Sequence, residues 1–143
     1  MKSDNRQYIR HPSTIPLAFN IKHHVGNTRV TDVGEGGLCF VCQNPIKEGE
    51  HIHIKISCLQ PDFDADGVVR WCCKQGNNDY LIGVAFQEQE VAYSVRMIEQ
   101  ICHIENYRKS VKKEQGIELS GEQAAEQWIK KYAHVFPNLA GKR

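Results

Sequence analysis

Short runs in which apolar and polar residues alternate with period two recur up to residue 86, and they constrain this 143-residue chain most. His51-Ile52-His53-Ile54-Lys55-Ile56 is the clearest run, and it places its isoleucines on one face of a strand. Ile15, Leu17, Phe19 and Ile21 alternate in the same way with Pro16, Ala18, Asn20 and Lys22. Arg29 to Val33, Leu38 to Cys42, Val68 to Cys73 and Tyr80 to Phe86 read as further strands. Turn signals separate them: His23 to Asn27, Asn44-Pro45 with Lys47-Glu48-Gly49, a polar loop from Gln60 to Asp66, and Gln75 to Asp79. Short strands punctuated at this spacing predict an antiparallel barrel or a sandwich.

Beyond residue 86 the period lengthens. Val91, Val95, Ile98 and Cys102 fall at helical spacing, and Met97, Ile101 and Ile104 widen the stripe. The pattern predicts a helix over residues 88–106 that packs on the barrel or covers one end. Residues 107–120 read as a basic connector carrying Arg108, Lys109, Lys112 and Lys113. Ser120 and Gln123 have capping-box spacing ahead of a last helix, whose apolar face holds Ala124, Ala125, Trp128, Ile129, Tyr132 and Phe136. Pro137 would end it. The expected organisation is therefore a barrel unit over 1–106 and a helical extension over 107–143.

Composition excludes little by itself. With 41% hydrophobic and 24% charged residues the chain is of globular type. A net charge of +1 gives no global electrostatic case for nucleic acid or membrane. No apolar run approaches the roughly 20 residues of a membrane span. The N-terminus, Met1-Lys2-Ser3-Asp4-Asn5-Arg6, lacks the apolar region of a signal peptide, so the expectation is a cytoplasmic chain. Its six cysteines (39, 42, 58, 72, 73 and 102) then read as reduced thiols, most in apolar contexts.

Chemistry concentrates in two places. Asp32-Val33-Gly34-Glu35-Gly36-Gly37 carries three glycines in four positions between two strands, so a ligand could approach the main chain closely. Taken alone it is a hairpin turn, with Asp32 as a turn-capping residue. Upstream stands Arg6-Gln7-Tyr8-Ile9-Arg10, on a lead-in that Pro12 holds extended and that looks solvated. Taken alone, two surface arginines mean little. Cys39-x-x-Cys42 has knuckle spacing, but residues three apart on a strand face opposite sides, and no second pair answers it; no metal is expected. No glycine-framed serine, Walker loop or paired-carboxylate arrangement is present, so the chain is not expected to be an enzyme.

Together Arg6-x-x-x-Arg10, Asp32-x-Gly34-x-x-Gly37 and the strand endings Val69-Arg70-Trp71 and Gly83-Val84-Ala85-Phe86 resemble the PilZ family, over roughly residues 6–104. The resemblance implies an all-β fold with added helices: a six-stranded antiparallel PilZ-type barrel, a C-terminal helix packed on it, and here a further helix. It also implies a receptor for cyclic di-GMP, with Arg6, Arg10, Asp32, Gly34, Gly37 and Trp71 at the ligand. That ligand offers two guanines and two phosphodiesters. Arginine can fork onto guanine O6 and N7, grip a phosphate or stack on a purine, while an ionised aspartate accepts from guanine N1–H and N2–H₂. Gly34 departs from the family, which usually has serine there. One lost hydroxyl is worth about 0.5–1.5 kcal/mol.

The function expected is coupling of second-messenger level to a protein partner, as binding orders residues 1–13 over the barrel near Asp32. The partner is open, and so is a homodimer formed through the last helix. One alternative is a degenerate PilZ-like adaptor that binds no nucleotide. Another is a barrel that stacks single-stranded nucleic acid on Phe40, Trp71 and Tyr80.

Overall fold

A computed structural model describes residues 10–132 of the chain. Seven strands come first: β1 (His11–Pro12), β2 (Pro16–Ile21), β3 (His24–Gly34), β4 (Gly37–Cys42), β5 (His51–Ile56), β6 (Phe63–Gln75) and β7 (Asp79–Phe86). Two helices follow, α1 (Glu88–Gln115) and α2 (Gly121–Tyr132). The strand order is β1-β3-β2-β5-β6-β7-β4, and β4 returns to pair with β3. Strands β2 to β7 thus close into an antiparallel six-stranded barrel, and the short β1 lies beside it. Closure leaves no long edge to template association.

Strand β3 makes the closure possible. Its first half pairs with β2 from His24 to Arg29, and its second half pairs with β4 from Val30 to Gly34. A register shift between Val30 and Asp32 bends the strand where it changes partners. The side of β3 that β2 leaves is taken by β1, with His11 opposite Val33 and Pro12 opposite Asp32. Inward residues such as Leu17, Val33, Phe40, Ile54 and Ile82 are essentially sealed from solvent and form the core.

Three segments differ from the sequence reading. The turn expected at His23 to Asn27 is confined to Lys22 and His23, both at positive φ, and β3 starts at His24. Gly26 is an in-strand glycine: a Cβ there would lie 2.3 Å from the Phe19 ring. The loop expected over Gln60 to Asp66 gives way at Phe63 to β6, where Phe63, Ala65 and Gly67 are buried and Asp64 and Asp66 exposed. The helix expected to stop at 106 runs to Gln115, through the segment read as a connector. Residues 107–115 hold no glycine or proline, and Val111 among them is buried in the core cluster. Gly116, at φ 70°, is the left-handed C-cap that stops the helix.

The apolar stripe of α1 centres on Met97, Ile98, Ile101 and Ile104, all buried, while Val95 stands in solvent. Ser120 caps α2 as expected. Its Oγ accepts from the Gln123 N–H and its own N–H donates to Gln123 Oε1, both at 3.0 Å. Ala124, Ala125 and Trp128 supply the buried face of α2, Ile129 is half-buried and Tyr132 is exposed. Phe136 and Pro137 lie outside the described residues.

Candidate ligand-binding surface

The glycine turn sets the geometry of one outer patch. Gly34 pairs with Gly37, Val33 with Leu38 and Asp32 with Cys39. Opposed residues share a face and successive pairs alternate. Val33 and Leu38 point into the core, at 0% and 1% exposure, so Asp32 and Cys39 point outward. The row continues across the sheet, since Cys39 is opposite Gly83 and Gly83 is opposite Trp71.

Cys39 is nevertheless buried, and two side chains lie over this row. One is Arg10, just ahead of β1. Its Nε donates to Asp32 Oδ1 at 2.7 Å, its Nη2 lies 2.6 Å from the same oxygen, and Nη2 also contacts Cys39 Sγ. The other is the indole of Trp71, laid across Gly83, where a Cβ would come within 2.2 Å of the ring. Gly83 is glycine to admit this indole. A register shift between Val69 and Trp71 sets Arg70 out in solvent and turns Trp71 onto the outer row.

The electrostatics follow from that arrangement. Burial pushes the Cys39 thiol up to about 11, Asp32 adds to the shift, and the nearby Arg10 only partly opposes it. The thiol is therefore neutral near pH 7, poor as a nucleophile or metal ligand. Burial alone would lower Arg10, but the Cys39 sulfur and Asp32 outweigh it, and the net shift is upward.

The turn itself is held by its main chain. Gly36 O accepts from Phe86 N–H at 2.9 Å, and Glu35 O accepts from the Ser94 hydroxyl at 2.8 Å. A Cβ on Gly37 would sit 1.9 Å from Val84 O, so β4 and β7 can approach here only through a glycine. That reason differs from the turn and clearance roles expected from sequence. Gly34 is buried and keeps an ordinary φ.

Of the expected site residues, Arg10, Asp32, Gly34, Gly37 and Trp71 thus come together on one side of the barrel, while Arg6 lies outside the described residues. The expectation of a solvated Arg10 is corrected: Arg10 and Asp32 are each 27% exposed and bound to each other. Phe40, expected as a stacking platform, is fully buried against Phe19 with ring centroids 5.0 Å apart, so it offers no face to a base. Cys39 and Ser94 were not singled out as site residues by the sequence. Counting outward from a two-residue turn puts residue 39 opposite residue 32, a signal that was available for Cys39; none marked Ser94.

Among the described residues no group of three His, Cys, Asp or Glu side chains is arranged to hold a metal, and no helix is long and apolar enough to cross a membrane. The patch offers instead a fixed guanidinium with N–H groups to spare, a carboxylate and a half-buried indole. This set suits a planar, anionic ligand.

The PilZ domain family model matches residues 4–103, and the chain belongs to that family. No curated protein sequence matches it. Among solved structures it is similar to the PilZ domain of Escherichia coli YcgR with cyclic di-GMP, at 15% identity and a TM-score of 0.58, covering 79% of this chain and 99% of that one. It is also similar to the MrkH–cyclic di-GMP complex of K. pneumonia, at 13% identity and a TM-score of 0.56, covering 73% of this chain and 54% of that one. Bacillus subtilis MotI matches at 16% identity and a TM-score of 0.50, over 65% of this chain and 50% of that one. The chain therefore spans about half the length of MotI and MrkH. At these identities the likeness is one of fold.

Proposed function

We propose that this chain is a non-enzymatic receptor for cyclic di-GMP, with Arg6, Arg10, Asp32, Gly34, Gly37 and Trp71 at the ligand. The observation that carries the reading is the Arg10–Asp32 pair held beside the glycine turn. Both Arg10 contacts fall on Oδ1 of Asp32, which leaves Oδ2 to accept from a guanine N1–H and N2–H₂. The unengaged N–H groups of Arg10 then face a phosphate or the guanine acceptor edge, and Trp71 flanks the base. Structures of the same fold with cyclic di-GMP, from YcgR and MrkH, support the choice of ligand.

Residues 11–13 are already tied to β3, so the ordering expected on binding does not extend to them. Engaging Arg6 and Arg10 on one ligand would change the surface offered to a protein partner or a second copy. Such a shift is limited by the ligand's differential affinity for the two states. A second reading, an adaptor without nucleotide, is favoured by Gly34 and by the way Arg10 and Asp32 satisfy each other. A thermal melt separates the two. At about 100 times Kd, cyclic di-GMP adds ~2.7 kcal/mol of stability to a receptor. No shift at millimolar ligand would leave the adaptor.

A further inference from the structure

Ser94 lies in α1 with no exposed surface. Its hydroxyl is 2.8 Å from Glu35 O, across 59 residues of sequence, and 2.6 Å from Val91 O within its own helix. One hydroxyl has one proton to give. Val91 O already receives the N–H four residues on, as any carbonyl inside an α-helix does. Glu35 O is at the tip of a two-residue turn, beyond the last strand pair, so the hydroxyl is worth more there. The neighbouring carbonyl, Gly36 O, is bound by Phe86 N–H, at the end of β7 and two residues before α1. Both carbonyls of the turn are thus fastened to one stretch of chain, residues 86–94. No side chain of the tip does this job: Glu35 is exposed and Gly36 has none.

We infer that Ser94 is a positioning residue for the ligand turn, fixing the main chain of Glu35 and Gly36 from α1. The inference rests on the receptor reading above and deepens it. A turn with glycines at 34, 36 and 37 has wide conformational freedom, and a ligand that needs one conformation of it binds more weakly when that freedom is unrestrained. The Ser94 bond removes the freedom before the ligand arrives. It also links turn and helix thermodynamically. Whatever α1 and the helix packed on it do to the turn, a ligand on the turn does to them in return.

Amide hydrogen exchange on the ligand-free full chain, followed by titration with cyclic di-GMP, tests this. In Ser94→Ala the Gly36 and Gly37 amides should exchange faster while the barrel strands and the later turns of α1 keep their protection. Affinity should fall about three- to tenfold, the range of one net hydrogen bond. Ser94→Cys, near in size with a weaker donor, should fall between alanine and serine in both readouts. Unchanged exchange at Gly36 and Gly37 overturns the inference. So does protection lost evenly over the whole barrel, or faster turn exchange with unchanged affinity. If the unsubstituted chain binds no cyclic di-GMP, the receptor reading fails, and exchange alone decides whether Ser94 holds the turn.

Discussion

Replacing Arg10 with alanine should destabilise the ligand-free protein, a consequence of the pair with Asp32 that a solvated arginine would not have. The guanidinium makes two contacts with one carboxylate oxygen, at 2.6 and 2.7 Å, and touches Cys39 Sγ. Ion pairs in the open contribute little, commonly ~0.2–1 kcal/mol, whereas hydrogen bonds to charged groups out of solvent reach ~1.5–3 kcal/mol. At 27% exposure on each side this pair lies between the two, at about 1 kcal/mol. A double-mutant cycle isolates the term: Arg10→Ala, Asp32→Ala and the double variant, each unfolded in urea without ligand. The coupling energy should come out near 1 kcal/mol, and Arg10→Ala should also uncover Cys39, detectable as faster reaction with a thiol reagent. A coupling within error of zero, with Cys39 no more reactive, would show that the pair and the guanidinium's contact with the thiol do not persist in solution. Complete unfolding of Arg10→Ala would refute the reasoning from the other side, by making the arginine a core determinant.

Other predictions concern separate features. Gly34→Ser should raise stability by ~0.4–1 kcal/mol, because Gly34 keeps an ordinary φ and serine restricts the unfolded chain; lower stability with tenfold weaker nucleotide binding would mean this turn is not the family's ligand turn. Trp128→Ala should cost ~3 kcal/mol or more in thermal or urea denaturation, since Trp128 is 4% exposed and stacks on His103 at 5.5 Å; a cost under 1 kcal/mol would mean α2 does not dock as described. His53 bridges Asp66 and Asp64, and its pKa is raised, first by the Asp66 hydrogen bond. A raised folded pKa gives stability that is full below the unfolded value of 6.5 and is lost as pH climbs through the folded value. His53→Gln should therefore lower the melting temperature slightly at pH 5.5 and leave it unchanged at pH 8.5; an equal loss at both would exclude a protonation effect.

Much of the barrel was legible because a half-buried strand writes its face into alternate residues, as the isoleucines of β5 do. The errors came where one residue type carries two meanings. Glycine signals a turn, and Gly26 was read so, yet it sits inside β3 to make room for Phe19. Gly83 serves Trp71 in the same way. Which of the two a glycine does depends on a cross-strand neighbour, and sequence distance hides that neighbour. The start of β6 was hidden by its outward acids, Asp64 and Asp66, whose polarity reads as loop until β5 is placed opposite. In the site, Asp32 and the glycines were visible as a motif with local spacing. The burial of Cys39 and the reach of Ser94 to Glu35 arise from contacts 29 and 59 residues apart, and no local pattern encodes either.

The central claim is that the patch around Arg10 and Asp32 binds cyclic di-GMP. Calorimetric titration of the full chain with cyclic di-GMP, beside Arg10→Ala, tests it most directly. The account predicts saturable binding that weakens by ~1.5–3 kcal/mol in Arg10→Ala, the worth of a charge-assisted fork. No heat at any accessible concentration, or equal affinity in both proteins, would contradict it.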